Sequence, residues 1–256
     1  MKHFIICLVI VIECFSCTQA SNNKKVDTES TAAAVNHDST TSCLPLRVAI
    51  MIDKTGSTKW NRTPTLTTED FEFVYDVMKQ CGGDLGVGFI ADESNRGLLR
   101  LTIEQPPIKP ISTSKESNPF KAAKETAEIQ KLLQDYESKL NAWVAGSELK
   151  LQHFRGELQA FLTEPPRAPK TDLWGAVARA DLFLAEDDSA WGKKTRRFGI
   201  VVSDCQDNQG KQVVNPLSGA KWIIVNGTHA NLEPLVTTRF ESFGSAIRHI
   251  MANSGG

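Results

Sequence analysis

Oxygen-bearing side chains follow an apolar run near residue 50. The run from Leu46 to Ile52 stops at Asp53, and two hydroxyl residues, Thr55 and Ser57, follow that acid at spacings of two and four. A buried strand that ends in a turn here would present the three polar side chains on one side. Carboxylate and hydroxyl oxygens suit a hard divalent cation, whereas an aspartate in such a turn could also act as a nucleophile.

Two later stretches add groups of the same kind. Thr171-Asp172 enters a predicted helix, and Ser203-Asp204 follows a predicted strand. Both offer hydroxyls and carboxylates without a soft ligand, which favours magnesium or a similar ion. Beyond the N-terminal residues the sequence has no Cys-x-x-Cys pair, and it has no His-Glu-x-x-His, Gly-x-Ser-x-Gly or Walker motif. Zinc sites, serine hydrolases and P-loop proteins therefore lack support from the sequence.

The hydrophobic pattern predicts a sheet enclosed by helices. The run 46–52 is apolar at nearly every position, as expected of a strand covered on both faces. Apolar strands that alternate with amphipathic helices indicate a Rossmann-like three-layer α/β sandwich with a mostly parallel sheet. The short link between the second and third strands predicts a hairpin, and hence one antiparallel edge strand. Strands are predicted at 46–52, 85–91, 98–103, 197–203, 221–225 and 239–243, with helices starting near 67, 118, 147, 171 and 244.

This architecture would bring the three polar stretches together. In open α/β sheets, ligands bind beyond the carboxyl ends of the strands. The turn after the first strand, the entry to the helix at Thr171 and the end of the strand before Asp204 all fall at that rim. The sequence therefore predicts one oxygen-rich site there.

A long helical insertion is predicted over about residues 118–146. Asn118-Pro119 supplies a cap and a first-turn proline, and Gly146-Ser147 is expected to end this helix and cap the next. At ~1.5 Å per residue the insertion would reach ~40 Å. We expect a surface elaboration packed on the domain in preference to a projecting docking arm. Its apolar residues recur at helical spacing: Ile129, Leu132, Leu133, Tyr136, Leu140 and Trp143.

The N-terminus has the pattern of an export signal. Lys2 and His3 precede an apolar segment, 4–12, which is shorter than the ~20 residues that a membrane-spanning helix needs. The sequence Cys14-Phe15-Ser16-Cys17 resembles a bacterial lipoprotein lipobox, with Cys14 where an aliphatic residue is usual. The resemblance implies a signal over 1–16 and a lipid on Cys17. Residues 17–42, poor in apolar residues, are predicted to be a disordered tether, followed by one domain over 43–256.

Three cysteines, Cys43, Cys81 and Cys205, lie beyond the predicted signal and lipid site. Cys43 could pair with one of the other two in an oxidising compartment. The preferred interpretation is that Cys81 and Cys205 are small buried hydrophobic residues. A formal net charge of −1 over 256 residues gives no argument for a nucleic-acid partner.

The three polar stretches together resemble a von Willebrand factor type A domain. Residues 48–57 resemble its Asp-x-Ser-x-Ser segment, with Thr55 for the first serine, and residues 170–173 resemble its threonine loop. Residues 200–208 resemble its third segment, in which Cys205 replaces the usual glycine. The motifs occur in the family's order, and the resemblance covers about 45–252.

The resemblance implies a metal-ion-dependent adhesion site. Thr55, Ser57 and Thr171 would bind the ion by hydroxyl oxygen, and Asp53 and Asp204 would act largely through water. The ion would be Mg²⁺, or Ca²⁺ or Mn²⁺, with a position open to an acidic residue of a protein partner.

The expected function is therefore binding, with no catalysis. We expect a protein-binding module of the bacterial envelope, a periplasmic or outer-membrane lipoprotein in preference to a freely secreted protein. Membrane contact would be through the lipid anchor only. Trp60, Arg62 and Trp174 are candidate partner contacts, since exposed Trp and Arg are common interface anchors; the alternative is core packing or chance.

Two alternatives remain open from the residues. Asp53-Lys54-Thr55-Gly56 also resembles the phosphorylated loop of haloacid dehalogenase-like phosphotransferases. Asp53 would then attack phosphorus, Thr55 would hold the phosphoryl group and Asp204 would bind magnesium. That resemblance leaves Thr171 unexplained. The sequence also shows no region of several membrane spans, which the P-type ATPases of this class would need. The other alternative is a degenerate site that binds no metal.

Overall fold

The computed structural model describes most of the chain from Cys43 onward. The described residues are 43–56, 65–92, 97–110, 118–165, 168–192, 194–210, 214–227 and 235–252. The predicted signal, the lipid site at Cys17 and the tether lie outside them, as do Ser57, Trp60 and Arg62. The predictions for those residues remain predictions.

The described strands form one six-stranded sheet in the order β3-β2-β1-β4-β5-β6. β1 pairs in parallel with β2 and β4, and β4, β5 and β6 continue the parallel arrangement. β3 is antiparallel to β2 at the edge. The predicted fold class is thereby confirmed. The strands are β1 (Leu46–Asp53), β2 (Gly83–Ile90), β3 (Leu99–Ile103), β4 (Arg196–Val202), β5 (Lys221–Val225) and β6 (Val236–Phe240).

Helices cover both faces of the sheet. Because successive strand residues point to opposite faces, Val48, Ile50 and Ile52 of β1 belong to the core that includes α1, α2 and α4 residues. Ala49 and Met51 belong to a second core formed with α3. This explains why the run is apolar at every position except Arg47. The helices are α1 (Glu72–Cys81), α2 (Pro119–Thr163), α3 (Leu173–Leu184) and α4 (Phe243–Ala252), with short 3₁₀ turns at Thr68–Phe71 and Ser189–Trp191.

The prediction of two helices separated at Gly146-Ser147 is wrong. α2 is one helix of 45 residues. A glycine inside a helix costs about 1 kcal/mol relative to alanine, but tertiary contacts hold the helix on both sides of Gly146. The Trp143 indole nitrogen donates to the Glu104 carbonyl at 2.9 Å, and Leu151 is fully buried in the core. These contacts outweigh the local preference.

Only part of α2 packs on the domain among the described residues. Trp143 is the first residue of the helix that contacts a core cluster. Further along, Arg155 forms a two-bond ion pair with Glu72 of α1, with distances of 2.8 and 2.7 Å. No described helix, α2 included, has the length and hydrophobicity needed to cross a bilayer.

The last strand lies earlier than predicted. β6 ends at Phe240, and Phe243 instead begins α4. Phe243 is buried and its ring lies 5.4 Å from that of Phe71. The apolar residue at the end of the predicted strand therefore belongs to a helix.

A disulfide joins Cys43 to Cys81, with 5.3 Å between their Cα atoms. The interpretation of Cys81 as a buried cysteine outside any disulfide is therefore wrong, whereas Cys205 is a buried thiol, as expected. The pairing follows from the sheet. Leu46 at the start of β1 lies beside Gly83 at the start of β2, so the residues just before each strand are brought to the same end.

Candidate functional site

Asp53 is the last residue of β1, at the carboxyl edge of the sheet, and only 4% of its surface is exposed. Its Oδ1 accepts hydrogen bonds from the Thr55 amide at 2.9 Å and the Thr55 hydroxyl at 2.7 Å. Its Oδ2 accepts one from the Ser203 hydroxyl at 2.6 Å. Burial raises the pKa of Asp53, the hydrogen bonds from Ser203 and Thr55 oppose that rise, and the nearby Asp204 charge adds to it.

The segment after β4 lies beside Asp53 because β4 is the parallel neighbour of β1. Besides donating to Asp53, the Ser203 hydroxyl accepts from the Cys205 amide at 2.9 Å. Asp204 is buried, and its Oδ1 accepts from the Gln206 amide at 3.0 Å. Asp204 is thus held by a contact within its own turn, whereas Asp53 is held in part by Ser203, which the pairing of β1 with β4 brings beside it.

Thr171 reaches the same edge from the connection between α2 and α3. It is buried, and its amide donates to Asn208 Oδ1 at 2.7 Å. The next amide, that of Asp172, donates to the Ala91 carbonyl just after β2 at 2.7 Å. The Gly56 amide donates to the Ala168 carbonyl at 3.2 Å, which ties the turn after β1 to the approach to Thr171.

The structure therefore brings four of the five predicted metal-site residues, Asp53, Thr55, Thr171 and Asp204, to one edge of the sheet, and Ser57 lies outside the described residues. Within the described ranges, no group of three or more His, Cys, Asp or Glu side chains is arranged to hold a metal. The residues at this edge differ from such a group because they combine only two carboxylates with hydroxyls. Such a set fits a hard divalent cation better than a soft one.

Trp174 is not a surface residue. It is 3% exposed and packs in the core that α3 forms with the sheet. The interpretation of Trp174 as a partner contact is corrected in favour of its alternative, core packing, because the first turn of α3 faces the sheet. Trp60 and Arg62 lie outside the described residues.

Lys54 has a role that its sequence context did not indicate. Its ammonium donates to the Leu162 carbonyl at 2.5 Å and the Glu164 carbonyl at 3.0 Å, at the C-terminal end of α2. It also lies 5.3 Å from the centre of the Phe89 ring. A lysine commonly binds the unpaired carbonyls of a helix end. The partners here are 108 and 110 residues away in sequence, so local spacing carries no signal for them.

Cys205 occupies a position suited to glycine. Its φ is 61°, in the left-handed region that glycine enters without steric cost. A Cβ atom added at Gly227 would lie 2.3 Å from the Cys205 sulfur, so the side chain at 205 is accommodated by the absence of one at 227. Burial raises the pKa of the Cys205 thiol to about 12, with smaller contributions from Asp204 and Asp53.

Comparison with family models and with curated proteins found no match. Among solved structures, this chain is similar to proximal thread matrix protein 1 from the mussel byssus, at 12% identity over 82% of this chain and 48% of that one, with a TM-score of 0.36. It is similar to the pilus adhesin SpaC from Lactobacillus rhamnosus GG, at 7% identity over 82% and 30%, with a TM-score of 0.41. It is also similar to a von Willebrand factor type A structure from Catenulispora acidiphila, at 12% identity over 83% and 43%, with a TM-score of 0.39.

This chain spans less than half the length of each of these three proteins. The likenesses are distant, and we take no ligand or partner from them. The fold class rests on the order and direction of the strands in the sheet itself.

Proposed function

We propose that this protein is a metal-dependent protein-binding module. The observation that supports the proposal is the meeting of Asp53, Thr171 and Asp204 at one sheet edge, from three segments far apart in sequence. The ion would be Mg²⁺, or Ca²⁺ or Mn²⁺. Thr55, Thr171 and the undescribed Ser57 would bind it by hydroxyl oxygen, with Asp53 and Asp204 acting largely through water.

Electrostatics support a cation at this edge. Two carboxylates are buried close together, and both burial and the charge of Asp204 raise the pKa of Asp53. A divalent cation offsets the repulsion and the burial cost at once. Two carboxylates roughly neutralise such an ion, and neutral hydroxyls leave it able to attract a further carboxylate. The partner would accordingly be a protein that presents an aspartate or glutamate.

The export proposal gains support from the Cys43–Cys81 disulfide, since disulfides persist chiefly in oxidising compartments. We propose an envelope protein anchored by lipid on Cys17, with residues 17–42 as the tether and 43–256 as the binding domain. Nothing in the charge balance calls for a nucleic-acid partner.

Calorimetric titration of the full chain with Mg²⁺, Mn²⁺ and Ca²⁺ tests the site. We expect binding in the wild type and its loss in Asp53→Ala. Asp76→Ala is the matched control, because Asp76 is an exposed aspartate on α1, and it should bind as the wild type does. Equal affinity in the wild type and Asp53→Ala would overturn the assignment.

The phosphatase alternative has less support. Asp53 is 4% exposed and both its carboxylate oxygens already accept hydrogen bonds, which leaves the group poorly placed to attack a phosphate ester. Turnover of a generic phosphate ester, abolished by Asp53→Ala and retained in Asp76→Ala, would restore that alternative.

A further inference from the structure

The loop after β4 does more than carry Asp204. Four residues further on, Asn208 contacts both polar groups of the Thr171 backbone. Its side-chain Oδ1 accepts from the Thr171 amide at 2.7 Å, and its own amide donates to the Thr171 carbonyl at 3.3 Å. Thr171 lies between α2 and α3, outside both helices. A single residue therefore supplies the pairing that regular secondary structure would otherwise supply.

Neighbouring contacts extend this connection. Asp207 Oδ1 lies 3.4 Å from the Leu173 amide, which donates to it. The Gln209 side-chain amide donates to the Asp92 carbonyl at 2.7 Å, and the Asp172 amide donates to the Ala91 carbonyl. The loop after β4, the loop after β2 and the Thr171 segment are thus bonded to one another.

We propose that Asn208 is a positioning residue that holds Thr171 at the candidate metal site. The part of this inference that concerns metal affinity rests on the proposed function. One loop then contributes Asp204 to the site and fixes the separate segment that contributes Thr171. Second-layer residues that orient a metal's ligands commonly change metal affinity by ~10–100-fold when they are replaced, and we expect that range for loss of the Asn208 acceptor.

The test uses three variants of the full chain. Asn208→Leu keeps the approximate size but removes the acceptor, and Asn208→Asp keeps an acceptor at Oδ1. Gln206→Leu is the control, since Gln206 lies on the same loop with an exposed side chain. Asn208 is itself exposed, so these changes leave both hydrophobic cores untouched.

Two measurements decide the proposal. In metal-free protein, hydrogen exchange at the Thr171 amide should accelerate ~10-fold in Asn208→Leu, because the amide loses its hydrogen-bond acceptor. The rate should stay near that of the wild type in Asn208→Asp and Gln206→Leu. By calorimetry with Mg²⁺ and Mn²⁺, Asn208→Leu should bind ~10–100-fold more weakly than the wild type. Asn208→Asp should restore most of that affinity, and Gln206→Leu should match the wild type.

The outcomes separate this proposal from the function on which it rests. If the wild type binds metal and Asn208→Leu binds it equally well, the positioning role is wrong and the metal site stands. If no variant binds metal, the wild type included, the proposed function fails, and with it the effect on affinity. Unchanged exchange at Thr171 in Asn208→Leu overturns the positioning role in either case.

Discussion

The Ser203 hydroxyl lies 2.6 Å from Asp53 Oδ2, although the two residues are 150 positions apart in sequence. The bond exists because β1 and β4 are parallel neighbours in register, with Ile52 beside Val202. Asp53 and Ser203, which follow that pair in the chain, therefore lie side by side at the carboxyl edge of the sheet. A buried carboxylate is held there by a hydroxyl that in turn accepts from the Cys205 amide.

Replacing Ser203 with alanine should destabilise the protein. The change removes a hydrogen bond to a buried carboxylate and leaves the Cys205 amide without this acceptor, for which we expect a loss of about 1–3 kcal/mol in the free energy of unfolding. Denaturant unfolding measures it. Ser138→Ala, at an exposed position on α2, should change stability by less than about 0.5 kcal/mol. Equal stabilities for the two variants would contradict the role given to Ser203.

Asp53 should make metal-free stability depend on pH in a particular direction. Its pKa in the folded protein is raised above the ordinary value of 3.8, so the folded state holds this proton more tightly than the unfolded state. The Asp53 contribution to stability is therefore present at low pH and is lost as pH rises from about 3.8 through the folded pKa.

The comparison is thermal unfolding of the wild type and Asp53→Asn in chelator. As pH rises to neutral, the stability of the wild type should fall relative to that of Asp53→Asn. Added Mg²⁺ should stabilise only the wild type. A wild type that gains stability relative to Asp53→Asn as pH rises would contradict the raised pKa.

Gly227 should tolerate no side chain while Cys205 is present. In Gly227→Ala the new Cβ would meet the Cys205 sulfur at 2.3 Å, and overpacking of this kind commonly costs about 1–3 kcal/mol. The double variant with Cys205→Gly should recover part of that loss, because glycine adopts the φ of 61° at position 205 without strain. A double-mutant cycle by denaturant unfolding measures the coupling. If the effects of Gly227→Ala and Cys205→Gly on stability simply add, the two positions are not in contact.

Lys54 should stabilise the end of α2. Lys54→Met keeps the aliphatic stem but loses donation to the Leu162 and Glu164 carbonyls, for which we expect a loss of about 1–2 kcal/mol. Hydrogen exchange in the last turn of α2 should accelerate more than exchange elsewhere. Lys131→Met, at an exposed position on the same helix, is the control and should leave exchange unchanged. Uniform acceleration along the chain would show a global effect and contradict this local role.

The Cys43–Cys81 disulfide should contribute substantially to stability. It closes a separation of 38 residues, and cross-links of this loop length typically contribute about 2–4 kcal/mol. The Cys43→Ser, Cys81→Ser double variant should lose that amount in denaturant unfolding. Reducing agent should lower the stability of the wild type and leave the double variant unchanged. A wild type that does not respond to reductant after full reduction would contradict the prediction.

Local patterning predicted the six strands and the antiparallel edge, with the last strand placed a few residues too late in the chain. The nearly continuous apolar run of β1 indicated a strand buried on both faces, and the short link before Leu99 indicated the antiparallel edge, both of which the structure contains. The type of each element follows from side-chain periodicity, which a single sequence carries. The positions of polar residues at strand ends and at a helix start also made Asp53, Asp204 and Thr171 candidates for one rim.

Boundaries and the choice between competing local signals needed the tertiary structure. Gly146-Ser147 looked like a helix end, but docking of Trp143 and Leu151 on the domain keeps α2 continuous. Residue type alone does not distinguish a buried tryptophan from an exposed interface anchor. The burial of Trp174 follows from which face of α3 meets the sheet.

The sequence by itself determined most of the strand and helix segments, and which oxygen-bearing residues lie where a strand ends or a helix begins. Only the tertiary structure decided how those residues are held: the Asn208 contacts with Thr171, the Lys54 contacts with α2, the Cys43–Cys81 pairing and the fit of Cys205 against Gly227. The physical reason is that each of these contacts joins residues at least 22 positions apart (205 to 227). Periodicity reports on the surroundings of a segment, whereas a hydrogen bond or a disulfide depends on where the sheet brings two distant segments together.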